Sequence, residues 1–86
     1  MAQFIEEDEK FPRMSDRFFK TLLSSDMRQY YRTRELNDKL YLHYKGFRQM
    51  ENLEGFTGLK CLYIEGNGIT EIKGLELCAE LKCLYI

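Results

Sequence analysis

Tyr41, Tyr63 and Tyr85 stand 22 residues apart, and Lys39, Cys61 and Cys83 keep the same interval two places before them. His43 and Glu65 follow two places after the first two tyrosines. Rings and hydroxyls recurring at a fixed step suit the chemistry of docking, since tyrosine is enriched where protein partners meet and where their binding energy concentrates. Lys39, Tyr41, His43, Cys61, Tyr63, Glu65, Cys83 and Tyr85 are therefore the candidate partner-binding residues. The same row has a structural use as well, because aromatic pairs on neighbouring strands stabilise a sheet.

Other chemistry finds little support. His43 is the single histidine and has no nucleophile or carboxylate at a telling spacing. Gly66-Asn67-Gly68 reads as a turn and lacks the lysine and hydroxyl residue of a phosphate-binding loop. Glu51, Glu54, Glu71 and Glu76 read as solvated surface. The three cysteines, Cys61, Cys78 and Cys83, are an odd number with no CxxC pair. A zinc site or disulfide framework is not expected from them, and a reducing compartment fits better. The chain is thus expected to be no enzyme, with no catalytic residue, metal or cofactor.

What positions the tyrosines is a hexapeptide written twice. LKCLYI occupies 59–64 and again 81–86, 22 residues on. A fixed period of this size is the mark of a repeat array. Leu59, Leu62, Ile64, Ile69, Ile72 and Leu75, with Asn67 among them, spell the leucine-rich-repeat pattern. Leu62 and Ile64 alternate with outward neighbours, as in a short strand with one face on a core. Asn67 stands where the chain turns away, flanked by glycines, and its amide can satisfy main-chain groups of its own and the adjacent coil. Ile69, Ile72 and Leu75 are expected to point inward from the returning arc.

One period earlier, Leu40, Leu42, Phe47, Met50 and Leu53 take the same places, with Lys45 for the asparagine and Asn37 for the opening leucine. A degenerate first coil is expected next to a cap. Upstream, SDRFFKTLLSSDMRQYY reads as a helix capped by Ser15, with Phe18, Phe19, Leu22 and Leu23 on one stripe and Ser24-Ser25-Asp26 loosening its end. The expected architecture is an α/β leucine-rich-repeat solenoid with short parallel strands on its concave face. It has a disordered acidic amino terminus over 1–14, a helical cap over 15–36 and repeats over 37–86. Those repeats divide as 37–58, 59–80 and a truncated 81–86, as in the front piece of a longer solenoid.

Charge narrows the partner class. Residues 1–9 hold four acids and no base, 10–48 hold ten bases against four acids, and 49–86 hold three against six. The central bases are scattered and lack an RNA-binding signature, so neither nucleic acid nor membrane is expected as partner. No apolar run approaches the roughly 18 residues of a bilayer span.

Residues 35–86 resemble the N-terminal repeats of the dynein axonemal assembly factor 1 family, ciliary leucine-rich-repeat proteins. LNDKLYLHYKGF (36–47), ENLEGFTGLKCLYIEGNGI (51–69) and ELKCLYI (80–86) carry the resemblance. The first is the most specific, because Asn37, Asp38, His43, Tyr44 and Lys45 are not demanded by the repeat. Arg34 stands where the family tends to carry proline, which should loosen the turn leading into the first strand. The resemblance implies a non-enzymatic factor for preassembly of axonemal dynein arms, in the cytoplasm with a share in the cilium or flagellum. Its partners would be axonemal dynein chains and assembly co-factors or chaperones. The alternative is a generic leucine-rich-repeat adaptor of the phosphatase-regulator or tubulin-cofactor type.

Overall fold

The first element begins where Ser15 Oγ accepts the amide hydrogen of Phe18 at 3.0 Å, satisfying a donor that the helix start would leave bare. Helix α1 (Asp16–Ser25) follows, with Asp16 in its first turn, where a carboxylate suits the helix dipole. It stops short of the predicted length. Ser24 Oγ donates back to the Lys20 carbonyl at 2.7 Å and Ser25 Oγ to that of Leu22 at 2.6 Å. Asp26 then leaves helical geometry at φ −146°. Its carbonyl accepts from the amides of Gln29 and Tyr30 at 3.0 and 2.9 Å, so the residues after Ser25 form a turn instead of a helical continuation. Serine and aspartate offer the backbone these local alternatives, which is why the helical stripe does not carry through.

The computed structural model describes residues 11–86, and the disorder expected for residues 1–10 lies outside them. Residues 11–14, expected to share that disorder, are packed. Met14 is fully buried. Arg13 Nε donates to Glu51 Oε2 at 2.7 Å and its Nη2 to Glu51 Oε1, which holds the Glu51 carboxyl below its ordinary pKa. The Arg48 guanidinium lies 4.1 Å from the centre of the Phe11 ring.

Three short strands, β1 (Lys39–Tyr41), β2 (Cys61–Tyr63) and β3 (Cys83–Tyr85), form a parallel sheet in the order β1-β2-β3. Together with α1 they make a small α/β domain among the described residues. Lys39, Cys61 and Cys83 are in register, as are Leu40, Leu62 and Leu84, and Tyr41, Tyr63 and Tyr85. Backbone bonds recur at the same step. The Asp38 carbonyl accepts from Lys60 and Cys61, and the Lys60 carbonyl accepts from Lys82 and Cys83, all at 2.8–3.0 Å. Positive φ recurs too, at Tyr44 (52°) and Gly66 (74°), then at Asn52 (56°) and Gly74 (78°).

The core lies between the sheet, α1 and the arc from β1 to β2. Leu40, Leu42, Phe47, Met50, Leu53, Phe56, Leu59 and Leu62 are all buried there. Phe18 meets Phe47 edge-on at 5.1 Å, and Phe19 tilts against Phe56 at 5.0 Å. The arc from β2 to β3 departs from expectation. Ile69 and Leu75 are only half-buried and Ile72 is 44% exposed, because the described residues cover this arc on one side only. Cys78 is buried, as is Phe56 22 residues before it, and burial raises its thiol pKa.

Candidate functional site

Alternation along the strands sends Leu40 and Leu62 into the core and turns the tyrosines, with Lys39, Cys61 and Cys83, to the opposite face. There the rings stack. Tyr41 and Tyr63 lie 4.8 Å apart at 18°, and Tyr63 and Tyr85 lie 4.5 Å apart at 2°. The spacing is that of the strands themselves, so register alone brings the rings together. Stacked in this way, the rings spend their faces on one another and present edges and hydroxyls outward. Burial, and then the neighbouring Tyr85, push the Tyr63 phenol pKa up.

The two ends of the row differ. Beyond Tyr41 stands Tyr30, buried and tilted, with ring centres 6.5 Å apart. Its hydroxyl oxygen accepts the Tyr41 amide hydrogen at 3.2 Å, so the outer edge of β1 has a bonded donor. Tyr85, at the other end, is 46% exposed.

His43 and Glu65 extend the face past the strand ends. His43 Nδ1 stands 3.9 Å from Glu65 Oε1, a buried oxygen with no hydrogen-bond partner among the described residues. The imidazole meets the rings of Tyr41, Tyr63 and Tyr44 edge-on at 6.1, 6.5 and 5.7 Å. Lys39 is exposed, while Cys61 and Cys83 are half-buried free thiols. All eight candidate residues thus gather on one face. Asn67 lies off it, at the bend. Its Oδ1 accepts from the amides of Lys45 and Phe47 at 3.0 Å each, and its Nδ2 donates to the carbonyls of Leu42 and Ile64 at 2.8 and 2.9 Å.

Three further residues hold the site. Tyr30, expected within the helix, lies beyond its end. Asn37, in the place of the opening leucine, is buried and binds the preceding loop. Its Oδ1 accepts from Tyr31 at 2.9 Å, and its Nδ2 donates to the carbonyls of Tyr31 and Thr33 at 3.0 and 3.1 Å. Arg34, expected to loosen the adjoining turn, pins it. Its guanidinium donates to Asp16 Oδ1 at 2.6 Å and lies over the rings of Phe19 and Phe56, 5.5 and 5.8 Å from their centres. The usable signal was a polar residue kept where the pattern wants leucine.

Sequence comparison decides the family. A rat protein named dynein axonemal assembly factor 1 is 46% identical over 59 residues, 69% of this chain. The human protein of that name is 47% identical over 53 residues, and a Drosophila erecta homolog is 51% identical over 52. The chain belongs to the dynein axonemal assembly factor 1 family. The matched stretch spans 9% of the rat relative's length, 7% of the human one's and 3% of the fly one's. No family model matches the chain, and no solved structure matches it significantly.

Proposed function

We propose that these residues form a leucine-rich-repeat module, in 22-residue coils behind a helical cap, whose strand face holds protein partners during cytoplasmic preassembly of axonemal dynein arms. The repeat reading is supported by strand register, backbone bonds and positive-φ positions that all recur at that interval. The cap reading is supported by α1, which lays Phe19 and Leu23 into the core, Phe19 against Phe56 of the arc between β1 and β2. The assembly role is supported by the names of the relatives that match at 44–51% identity.

The observation that carries the docking role is the stacked row Tyr41–Tyr63–Tyr85 on the face opposite the core. Rings already ordered by stacking lose little freedom when a partner arrives, and tyrosine offers both area and a hydrogen-bonding tip. The role is holding, without catalysis. The partners are axonemal dynein chains with their co-factors or chaperones, met mainly in the cytoplasm and in part in the cilium or flagellum.

Disrupting the gene in a flagellated cell should leave axonemes built but short of dynein arms in cross-section, and immotile. Full sets of arms and normal beating would reject the role. Re-expression of the full-length protein with Tyr41, Tyr63 and Tyr85 all changed to serine tests the face. Co-precipitation of dynein heavy chain should fall tens-fold, the scale of a hot-spot loss of about 2 kcal/mol or more, while the melting temperature holds. If the triple variant melts and still binds, the row serves the sheet alone.

A further inference from the structure

Cys61 and Cys83 are register partners on β2 and β3, on the same face and two residues before the stacked Tyr63 and Tyr85. Neighbouring strands run about 4.8 Å apart, within the roughly 4.4–6.8 Å that separates the Cα atoms of bonded cysteines. Cys83 as hydrogen-bond partner is the main cause that raises the Cys61 pKa, followed by burial, while Lys39, in register on β1, works the other way. We propose that Cys61 and Cys83 are a redox-sensitive pair that closes to a reversible disulfide, clamping β3 to β2 beneath the tyrosine row. The proposal rests on strand register and thiol placement, and stands or falls apart from the docking role.

The chemistry balances with a small disulfide such as oxidised glutathione as oxidant. The Cys61 thiolate attacks one glutathione sulfur, forms a mixed disulfide and expels a glutathione thiolate, which takes up the proton Cys61 gave to solvent. Cys83 then gives up its proton and attacks Cys61 Sγ, forming the intramolecular bond and releasing the second glutathione. Two thiols have lost two electrons and two protons, and one glutathione disulfide has become two thiols. With its thiol pKa raised, Cys61 reacts more slowly than an activated catalytic cysteine. The closing step gains from a second sulfur held alongside the first.

Geometry also makes the bond reversible. Bonded cysteines bring their Cβ atoms to about 3.8 Å, closer than strand spacing, so β2 and β3 must pinch together. A strained disulfide has a higher reduction potential and reopens when the poise turns reducing. Cys78 stands apart from this chemistry, buried in the core with its Sγ 3.7 Å from the Leu53 carbonyl.

The test equilibrates the unaltered chain in glutathione buffers of stepped redox poise, quenches with acid, alkylates under denaturing conditions and maps the peptides. The expected result is joint loss of the Cys61 and Cys83 thiols, with a linked 61–83 peptide, Cys78 still alkylated and a midpoint independent of protein concentration. C78S should give the same midpoint, and C61S should hold a glutathione adduct on Cys83. Adducts without a linked peptide, a bond to Cys78, a disulfide dimer, or three thiols intact across the series would each overturn the proposal.

Discussion

The arc between β1 and β2 and the arc between β2 and β3 end in different states. Between β1 and β2, Phe47, Met50 and Leu53 are buried; between β2 and β3, their counterparts Ile69, Ile72 and Leu75 are half-buried or exposed. Backbone conformation separates them at one glycine, since Gly46 in the first arc holds φ 79° and Gly68, 22 residues on, is not left-handed. Otherwise both arcs carry positive φ at corresponding places, and in both the residues before the next strand make the same bonds, Phe56 and Leu59 in one and Cys78 and Leu81 in the other. What differs as well is the neighbour. The first arc has α1 and Met14 packed against its residues, whereas the second meets the first on one side. The pattern of apolar residues sets which way each side chain points, and the next layer sets how much area leaves water.

The largest contrast is expected from matched truncations. Met50→Ala removes a buried side chain and should cost about 2–5 kcal/mol in urea unfolding of this chain. Ile72→Ala, at the corresponding place but 44% exposed, should cost under about 1 kcal/mol. Equal losses would mean that the second arc is covered in solution in a way that its exposure here does not reflect.

A smaller contrast sits at the bends. Asn67→Ala deletes four hydrogen bonds and strands the amides of Lys45 and Phe47 with two carbonyls, in part away from water. Each buried group left unpaired costs about 1–3 kcal/mol, and relaxation and water will recover part, so a loss of about 2–3 kcal/mol is expected. Lys45→Ala, at the corresponding exposed place, should fall within about 0.5 kcal/mol. Hydrogen exchange offers a second readout, with faster exchange at the Lys45 and Phe47 amides in the Asn67 variant alone.

These pairs also mark how far the sequence could be read. The strands and their register followed from LKCLYI written twice, and the helix start from Ser15 with its apolar stripe. The gathering of the eight candidate residues on one face followed from alternation, since period and pleat are local properties. Burial was less legible. Nothing in Ile72 distinguishes it from Met50, because the difference lies in what packs outside each arc. The bonds of Tyr30 and Arg34 were illegible for another reason. Each joins segments whose approach is set by the fold, so spacing along the chain carries no trace of them.

The smallest contrast is in the backbone itself, at positions that are left-handed in both arcs. Asn52 holds φ 56° and secures it with a bond from Nδ2 to the Met14 carbonyl at 2.7 Å, whereas Gly74 holds φ 78° with no atom within 4 Å of where a Cβ would stand. Gly74→Ala should therefore cost only the backbone term, about 1–2 kcal/mol for an ordinary residue in this region. Gly74→Asn should cost a few tenths, since asparagine tolerates the conformation. Gly66→Ala sets the scale from above. It carries the same backbone cost at φ 74° and also drives its methyl into the Tyr44 ring, which has to swing away. Urea midpoints should rank Gly66→Ala below Gly74→Ala and Gly74→Asn near the parent. If Gly74→Ala proved as costly as Gly66→Ala, something would have to pack over the second arc near residue 74, and the difference between the arcs would shrink to the bends.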